Sequence, residues 1–398
     1  MTYFILALIF VTLSAVAGSF LVRAISPRAS RRMHWTIAGG TFLALFILTA
    51  IFDNVMIGLD LFYYNPAQIS GVRIGLAPIE DFAYPLVCAL LLPALWLFLR
   101  QRSVRAKGQK GSGLLVQAFW VSRPVSWINT AYPFGAAMLL TTREIDWVLI
   151  LGTVYFLIPY NLAMYGINDV FDYASDLQNP RKGGMEGALL KPNLHRPMLW
   201  LIVFLNVPFL LVLASTAGPA GWISLAVSVF AVVAYSAAHL RFKERPVLDS
   251  ITSSTHFVSP AVVGLCLAGA HFSLGTVLVL CAFFLWGMAA HAFGAVQDII
   301  PDRAGKIASI ATVFGAKRTV RIAITLWALA GIAALFTPWP GPLSALIAIP
   351  YLVNAAPWWN VTDNLAADTN PAWQRFIWLN YGSGFFVTLI LILSWRQA

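Results

Sequence analysis

Residues 147–176 read WVLILGTVYFLIPYNLAMYGINDVFDYASD. From Trp147 to Ile167 there is no charged side chain, a run long enough to cross the ~30 Å hydrocarbon core of a bilayer as a helix. Acids then arrive together behind Asn168: Asp169, Asp172 and Asp176. On a helix, Asn168, Asp172 and Asp176 follow one another at four-residue steps and share a face. Carboxylates crowded at a membrane end repel one another, so the pattern calls for something positive between them.

The rest of the chain repeats the first half of that pattern. Hydrophobic residues make up 59% of it and charged residues only 11%, against about 25% charged in a soluble domain. Mean hydropathy is +0.77. The reading is an all-α integral membrane protein with about twelve transmembrane helices. Three precede a polar stretch (2–22, 36–52, 82–99). Nine follow it (125–140, 147–167, 198–215, 221–239, 251–270, 274–296, 320–337, 343–356, 374–394). The first run has no basic segment before it and no clear cleavage site, so it reads as a retained span. Cys88, Cys266 and Cys281 lie inside apolar runs without a CxxC pair and read as core residues.

The net charge of +10 falls in short basic loops between spans, which calls for a lipid bilayer and no nucleic acid. Basic clusters around 23–32, 100–110, 181–196, 241–245 and 303–318 follow alternate spans, whereas the opposite loops hold Arg73 and Arg143. The expectation is a multi-pass cell-membrane protein with the basic loops cytoplasmic and both termini outside. The stretch Arg100–Gln117, RQRSVRAKGQKGSGLLVQ, is the boundary between a unit at 1–100 and one at 118–398, with 101–117 as a basic linker.

A second acidic group, Asp298 and Asp302, ends the span at 274–296 on the same side as the first. Pro301 interrupts a simple continuation of the helix there. Two facing carboxylate groups suit Mg²⁺, a hard cation that binds oxygen ligands and substrate phosphates. Nearby Arg181, Lys182, Arg241, Lys243 and Arg245 supply positive charge for a leaving diphosphate.

NDxxDxxxD at 168–176 with DxxxD at 298–302 resembles the UbiA superfamily of intramembrane prenyltransferases, as do Ser122-Arg123-Pro124, Tyr235-Ser236 and the run from Arg241 to Asp249. The resemblance covers about 115–398. It implies Mg²⁺ ligation by Asn168, Asp172, Asp176, Asp298 and Asp302, with Asp169 adjacent. It implies Arg123, Lys182, Arg241, Lys243 and Arg245 around an isoprenyl diphosphate, and a catalytic setting for Tyr235. Family members carry YxxxK where this chain has His239 four residues after Tyr235, which leaves His239, Arg241 and Lys243 as alternative diphosphate contacts. Phe171, Tyr173 and Tyr165 are aromatic candidates for facing an allylic cation.

Before residue 100, a loop rich in aromatics and glycine runs from Asp53 to Pro78-Ile79-Glu80-Asp81. Two acids at a membrane entry suit general-acid work or the support of a carbocation; an interfacial aromatic belt with capping acids accounts for the same residues. Pro-x-Glu-Asp after Gly71 and Gly75 resembles the heterodimer-type lycopene cyclases. That resemblance makes Glu80 and Asp81 catalytic and requires a second small cyclase subunit, since those enzymes use two three-span units. Charge alternation puts these two acids on the opposite membrane side from the metal clusters. The combination resembles fusions of a lycopene elongase with a cyclase, whose donor is dimethylallyl diphosphate and whose acceptor is lycopene. A UbiA-type enzyme with an aromatic quinone-precursor or haem-precursor acceptor is the nearest alternative. A secondary transporter is a different class and would release no diphosphate. A dihaem cytochrome is set aside because the six histidines show no facing pair on two helices.

Overall fold

The computed structural model describes residues 2–24, 28–60, 62–106, 113–173 and 190–397. They form two compact units, Met1–Ser112 and Gly113–Ala398. Helix dominates, and among the described residues the only strands are two of two residues each.

Unit one holds α1 (Thr2–Ala24), α2 (Arg28–Gly58) and α3 (Ala83–Ala106). Between α2 and α3 the chain makes a small antiparallel hairpin, β1 (Arg73–Ile74) and β2 (Ala77–Pro78), with Arg73 opposite Pro78. The two-residue turn needs left-handed backbone at Gly75, φ +66°, which glycine adopts without steric penalty. Asn54 clamps it from α2: its Oδ1 accepts the Leu76 N–H at 2.5 Å, and its Nδ2 donates to the Ile74 carbonyl at 2.9 Å. The hairpin feeds a 3₁₀ turn, Ile79–Phe82, that carries Glu80 and Asp81 to the start of α3.

Unit two runs α4 (Leu114–Val121), α5 (Ile128–Thr142), α6 (Trp147–Leu157), α7 (Pro159–Phe171), α8 (His195–Thr216), α9 (Pro219–Ser236), α10 (Leu248–Leu267), α11 (Leu274–Val296), α12 (Ile299–Ala304), α13 (Ile310–Phe314), α14 (Ala316–Leu335), α15 (Ala348–Ala355) and α16 (Asn370–Gln397). One core gathers Phe134, Phe156 and Tyr160; a second stacks Trp327, Tyr351 and Phe376.

Ten helices of the described residues are long and apolar enough to cross a membrane, so the chain is a multi-pass membrane protein. The two further spans expected from sequence, 125–140 and 343–356, are helical but shorter. The first is the fifteen residues of α5, and the second is a 3₁₀ stretch (Gly341–Ile347) leading into α15. Both contain or abut proline, which breaks the ladder of backbone bonds. The stretch expected as a linker also holds helix at both ends: α3 runs on to Ala106 and α4 begins at Leu114.

The span at 147–171 bends between α6 and α7, where Pro159 cannot donate to the preceding turn. The polar groups at the bend are met by side chains, as a membrane interior requires. Asn161 Nδ2 donates to the Phe156 carbonyl at 2.9 Å and the Leu157 carbonyl at 3.1 Å. Asn206 Nδ2 donates to the Pro159 carbonyl at 2.9 Å. The bend aims the end of α7, and with it residues 168–172.

Candidate active site

The end of α7 presents Asn168, Asp169 and Asp172 to three different neighbours. The Asp172 N–H bonds to the Asn168 carbonyl at 2.9 Å, so the expected four-residue step holds up to the helix end. Asn168 Nδ2 donates to Ser236 Oγ at 3.0 Å, beside Tyr235 on α9. Asp169 is almost wholly buried and accepts from Arg123 Nη2 at 3.2 Å. The same guanidinium lies over the Tyr165 ring, 4.2 Å from its centroid. Arg123 reaches this position from left-handed backbone, φ +49°, just before Pro124. A buried carboxylate without a counter-charge is worth several kcal/mol of destabilisation, and Arg123 offsets it.

Asp172 is also buried and forms ion pairs with Lys243 Nζ and with Arg241 Nη2, the latter at 3.6 Å. Arg241 pairs in turn with Glu244, and that bond raises the guanidinium further above its ordinary pKa. The loop carrying these cations is tightly folded: His239 and Arg241 have φ of +72° and +40°. Arg245 donates to the His239 carbonyl at 3.5 Å and covers the Phe242 ring. Of the three alternative diphosphate contacts, Arg241 and Lys243 meet Asp172, while His239 is exposed.

Asp298 and Asp302 lie on α12 and its N-cap, with the Asp302 N–H bonded to the Asp298 carbonyl at 2.9 Å. The helix restarts here despite Pro301 because proline in a first turn gives up an N–H that has no helical partner. Arg303 ties this element down. It donates to the Thr312 carbonyl at 2.8 Å and to Asp363 Oδ2 at 2.7 Å. Asp363 Oδ1 accepts the Ala316 N–H at 2.7 Å. The described residues gather no group of three Asp, Glu, His or Cys side chains able to hold a metal. Asp176, Arg181 and Lys182 lie outside the described residues. The donor set at 168–172 and 298–302 consists of amide and carboxylate oxygens, which fits a hard divalent cation such as Mg²⁺. Of the aromatic candidates, Tyr165 packs under Arg123, Tyr173 edges onto His195, and Phe171 is 38% exposed and turned outward.

A polar network next to Tyr235 was not legible in the sequence. Tyr235 Oη is 3.2 Å from His291 Nε2, and His291 Nδ1 is 3.1 Å from Ser250 Oγ. Buried Asp249 accepts the Ser250 N–H at 2.6 Å and the Ile310 N–H at 2.7 Å. His256 packs edge-on against Tyr235, with ring centroids 5.2 Å apart. The two histidines come from different helices: α10 and α11 bring His256 and His291 to one tyrosine. Neither residue pair has a short-range sequence signal, since they lie 35 positions apart.

In unit one, Glu80 and Asp81 are both buried. Glu80 Oε1 accepts the Ser70 N–H at 2.5 Å, and Asp81 Oδ1 accepts from Tyr64 Oη at 2.8 Å. Burial raises the Tyr64 hydroxyl above its ordinary pKa, so it is a proton donor at neutral pH. Among the described residues Glu80 Oε2 and Asp81 Oδ2 have no hydrogen-bond partner. Asp53 on α2 also interacts with Asp81, a third acid that sequence reading placed only in a loop.

Residues 130–389 match the model of the UbiA prenyltransferase family, and residues 2–99 that of lycopene cyclase. The C(50) beta-cyclic carotenoids biosynthesis protein LbtBC of Dietzia sp. (strain CQ4) is 45% identical over 95% of each chain. A lycopene elongase/hydratase of Corynebacterium glutamicum is 50% identical over 68% of this chain and 94% of its own length. In structure, unit two is similar to a UbiA homolog from Archaeoglobus fulgidus bound to DMAPP and Mg²⁺. The TM-score is 0.51 at 18% identity, over 67% of this chain and 98% of that one. With its paired acids and its helical frame matched over that span, the chain belongs to the UbiA prenyltransferase family and carries a lycopene cyclase region before it.

Proposed function

We propose that the chain transfers a dimethylallyl group from its diphosphate to a terminal alkene of lycopene. We further propose that residues 1–100 supply one subunit's share of a carotenoid cyclase, with a second small subunit completing it. Residues 118–398 are the transferase domain in this reading, and 101–117 joins the two. The observation that carries the reading is the meeting of Asp172 with Lys243 and Arg241 beside Tyr235. Cations and carboxylates there stand ready to trade partners with a diphosphate. The similarity to a lycopene elongase/hydratase and to a C50 carotenoid protein supports lycopene as acceptor.

Lys243, Arg241 and Arg123 bind and orient the diphosphate oxygens, with Arg245 and Lys182 as further basic contacts. Asn168, Asp169, Asp172, Asp176, Asp298 and Asp302 would hold Mg²⁺. When bound, Mg²⁺ neutralises charge that develops on the departing diphosphate. Tyr165 and Tyr235 present aromatic faces and exclude water from the allylic cation. The acceptor's terminal alkene then attacks that cation, forming the new carbon–carbon bond.

The test is pigment analysis of lycopene-producing cells that express this chain alone. An elongated, acyclic carotenoid is expected; unchanged lycopene would overturn the assignment. We propose also that the metal clusters face the cytoplasm. Single cysteines at positions 110 and 142 check this by labelling intact cells with an impermeant maleimide. Position 142 should react from outside and position 110 only after lysis; the reverse pattern refutes the orientation.

A further inference from the structure

The proposed reaction leaves a problem after the new bond has formed. The acceptor carries a tertiary cation, and a proton must leave a neighbouring carbon in a cavity poor in water. The diphosphate site is not positioned to take it. Its cations, Arg241 and Lys243, stand in the loop before α10. His256 lies eight residues into α10, about 12 Å further along the helix.

Buried His256 and half-buried His291 both meet Tyr235, and their nitrogens are not equivalent. His291 has both engaged, one with Tyr235 Oη and one with Ser250 Oγ. His256 is 3% exposed. Its ring packs edge-on against Tyr235, and Nε2 is a buried ring nitrogen without a hydrogen-bond partner among the described residues. A neutral imidazole with Nε2 unprotonated carries a lone pair there that can accept a proton. Tyr160 Oη donates to the His256 carbonyl at 3.4 Å, and Ser228 and Ser259 continue that chain of hydroxyls. These hydroxyls anchor the backbone of α10 at His256, and its Nε2 is buried inside the helix bundle without a hydrogen-bond partner among the described residues.

We infer that His256 Nε2 is the base that ends prenyl transfer. In the step it performs, the carbon–oxygen bond of the donor has already broken with its electrons on diphosphate. The alkene's π pair has formed the carbon–carbon bond. The adjacent C–H bond then gives its electron pair to a new double bond, and its proton goes to Nε2. The imidazolium returns the proton to solvent when the products leave. The inference rests on the proposed function, and its test separates the two.

Wild-type protein and His256→Asn are reconstituted in lipid nanodiscs with Mg²⁺, dimethylallyl diphosphate and lycopene. Asparagine keeps a polar side chain at the position and removes the base. Released diphosphate and elongated carotenoid are measured on the same samples. In the variant, diphosphate release should stay within about threefold of wild type, while elongated carotenoid falls by about 10²-fold, the usual size of a lost general base. The unaccounted donor should appear as prenyl alcohol. If diphosphate and product keep the wild-type ratio, whether both persist or both fall, the base assignment is wrong. A wild-type protein that fails to elongate lycopene would instead overturn the proposed function.

Discussion

Replacing Asp172 by asparagine should lower prenyl transfer by roughly 10²–10³-fold, the scale seen when a preorganised electrostatic group is removed from a reacting site. The substitution keeps shape and takes away one negative charge. That charge now holds Lys243 and Arg241 in place. It would also serve as an oxygen ligand to Mg²⁺. Without it the two cations lose their anchor and a metal loses a donor, so donor binding and ionisation should both suffer. Asp298→Asn should act similarly through the second acidic element. Because Arg303 and Asp363 hold that element independently, the fold should survive. Diphosphate release in lipid nanodiscs, with monodispersity as the fold check, measures the effect. EDTA should abolish turnover and added Mg²⁺ restore it. Full activity in either variant would remove that residue from the site.

Glu80→Gln should separate the two activities. In cells that make lycopene and also express the proposed second cyclase subunit, elongation should continue and cyclic product should fall by about 10²–10⁴-fold, the range for a lost general acid or base. The chemistry needs a proton delivered to, or a cation held beside, a terminal alkene in an apolar place. Among the described residues Glu80 and Asp81 are buried with one oxygen each lacking a hydrogen-bond partner, their other oxygens are held by Ser70 and Tyr64, and Asp53 stands beside Asp81. Glutamine keeps the Ser70 contact through its carbonyl and loses the acid. Loss of elongation in this variant, or cyclic product from the chain without its partner, would contradict the proposed division.

What the sequence reveals and what it conceals follow from the range of each signal. Spans of twenty apolar residues are local, and so is the NDxxD step, which is why residues 168–172 and the bundle were legible. Helix α5 and the segment at 341–355 match the expected ranges closely, but both are short for a bilayer crossing, and the second mixes 3₁₀ with α-helix around its prolines, which hydropathy does not register. Asn54 and Asp53 read as loop residues but sit on the last turns of α2, where one clamps a hairpin and the other meets Asp81. The His256–Tyr235–His291 arrangement depends on three helices packing together. No spacing along the chain encodes it. Arg303 was counted among cytoplasmic charges; its partner Asp363 is 60 residues away.

The ion pairs at the end of α7 bear on how a donor is captured. Arg123, Arg241 and Lys243 face Asp169, Asp172 and Glu244, so these six side chains sum to zero. Such an arrangement projects little field beyond a screening length of ~8 Å at physiological ionic strength. If a prenyl diphosphate binds here as proposed, its oxygens exchange at short range for carboxylates on cations already in position, and these six groups alone add little long-range attraction. The prenyl tail's partitioning into the bilayer would then weigh more in how often a donor arrives.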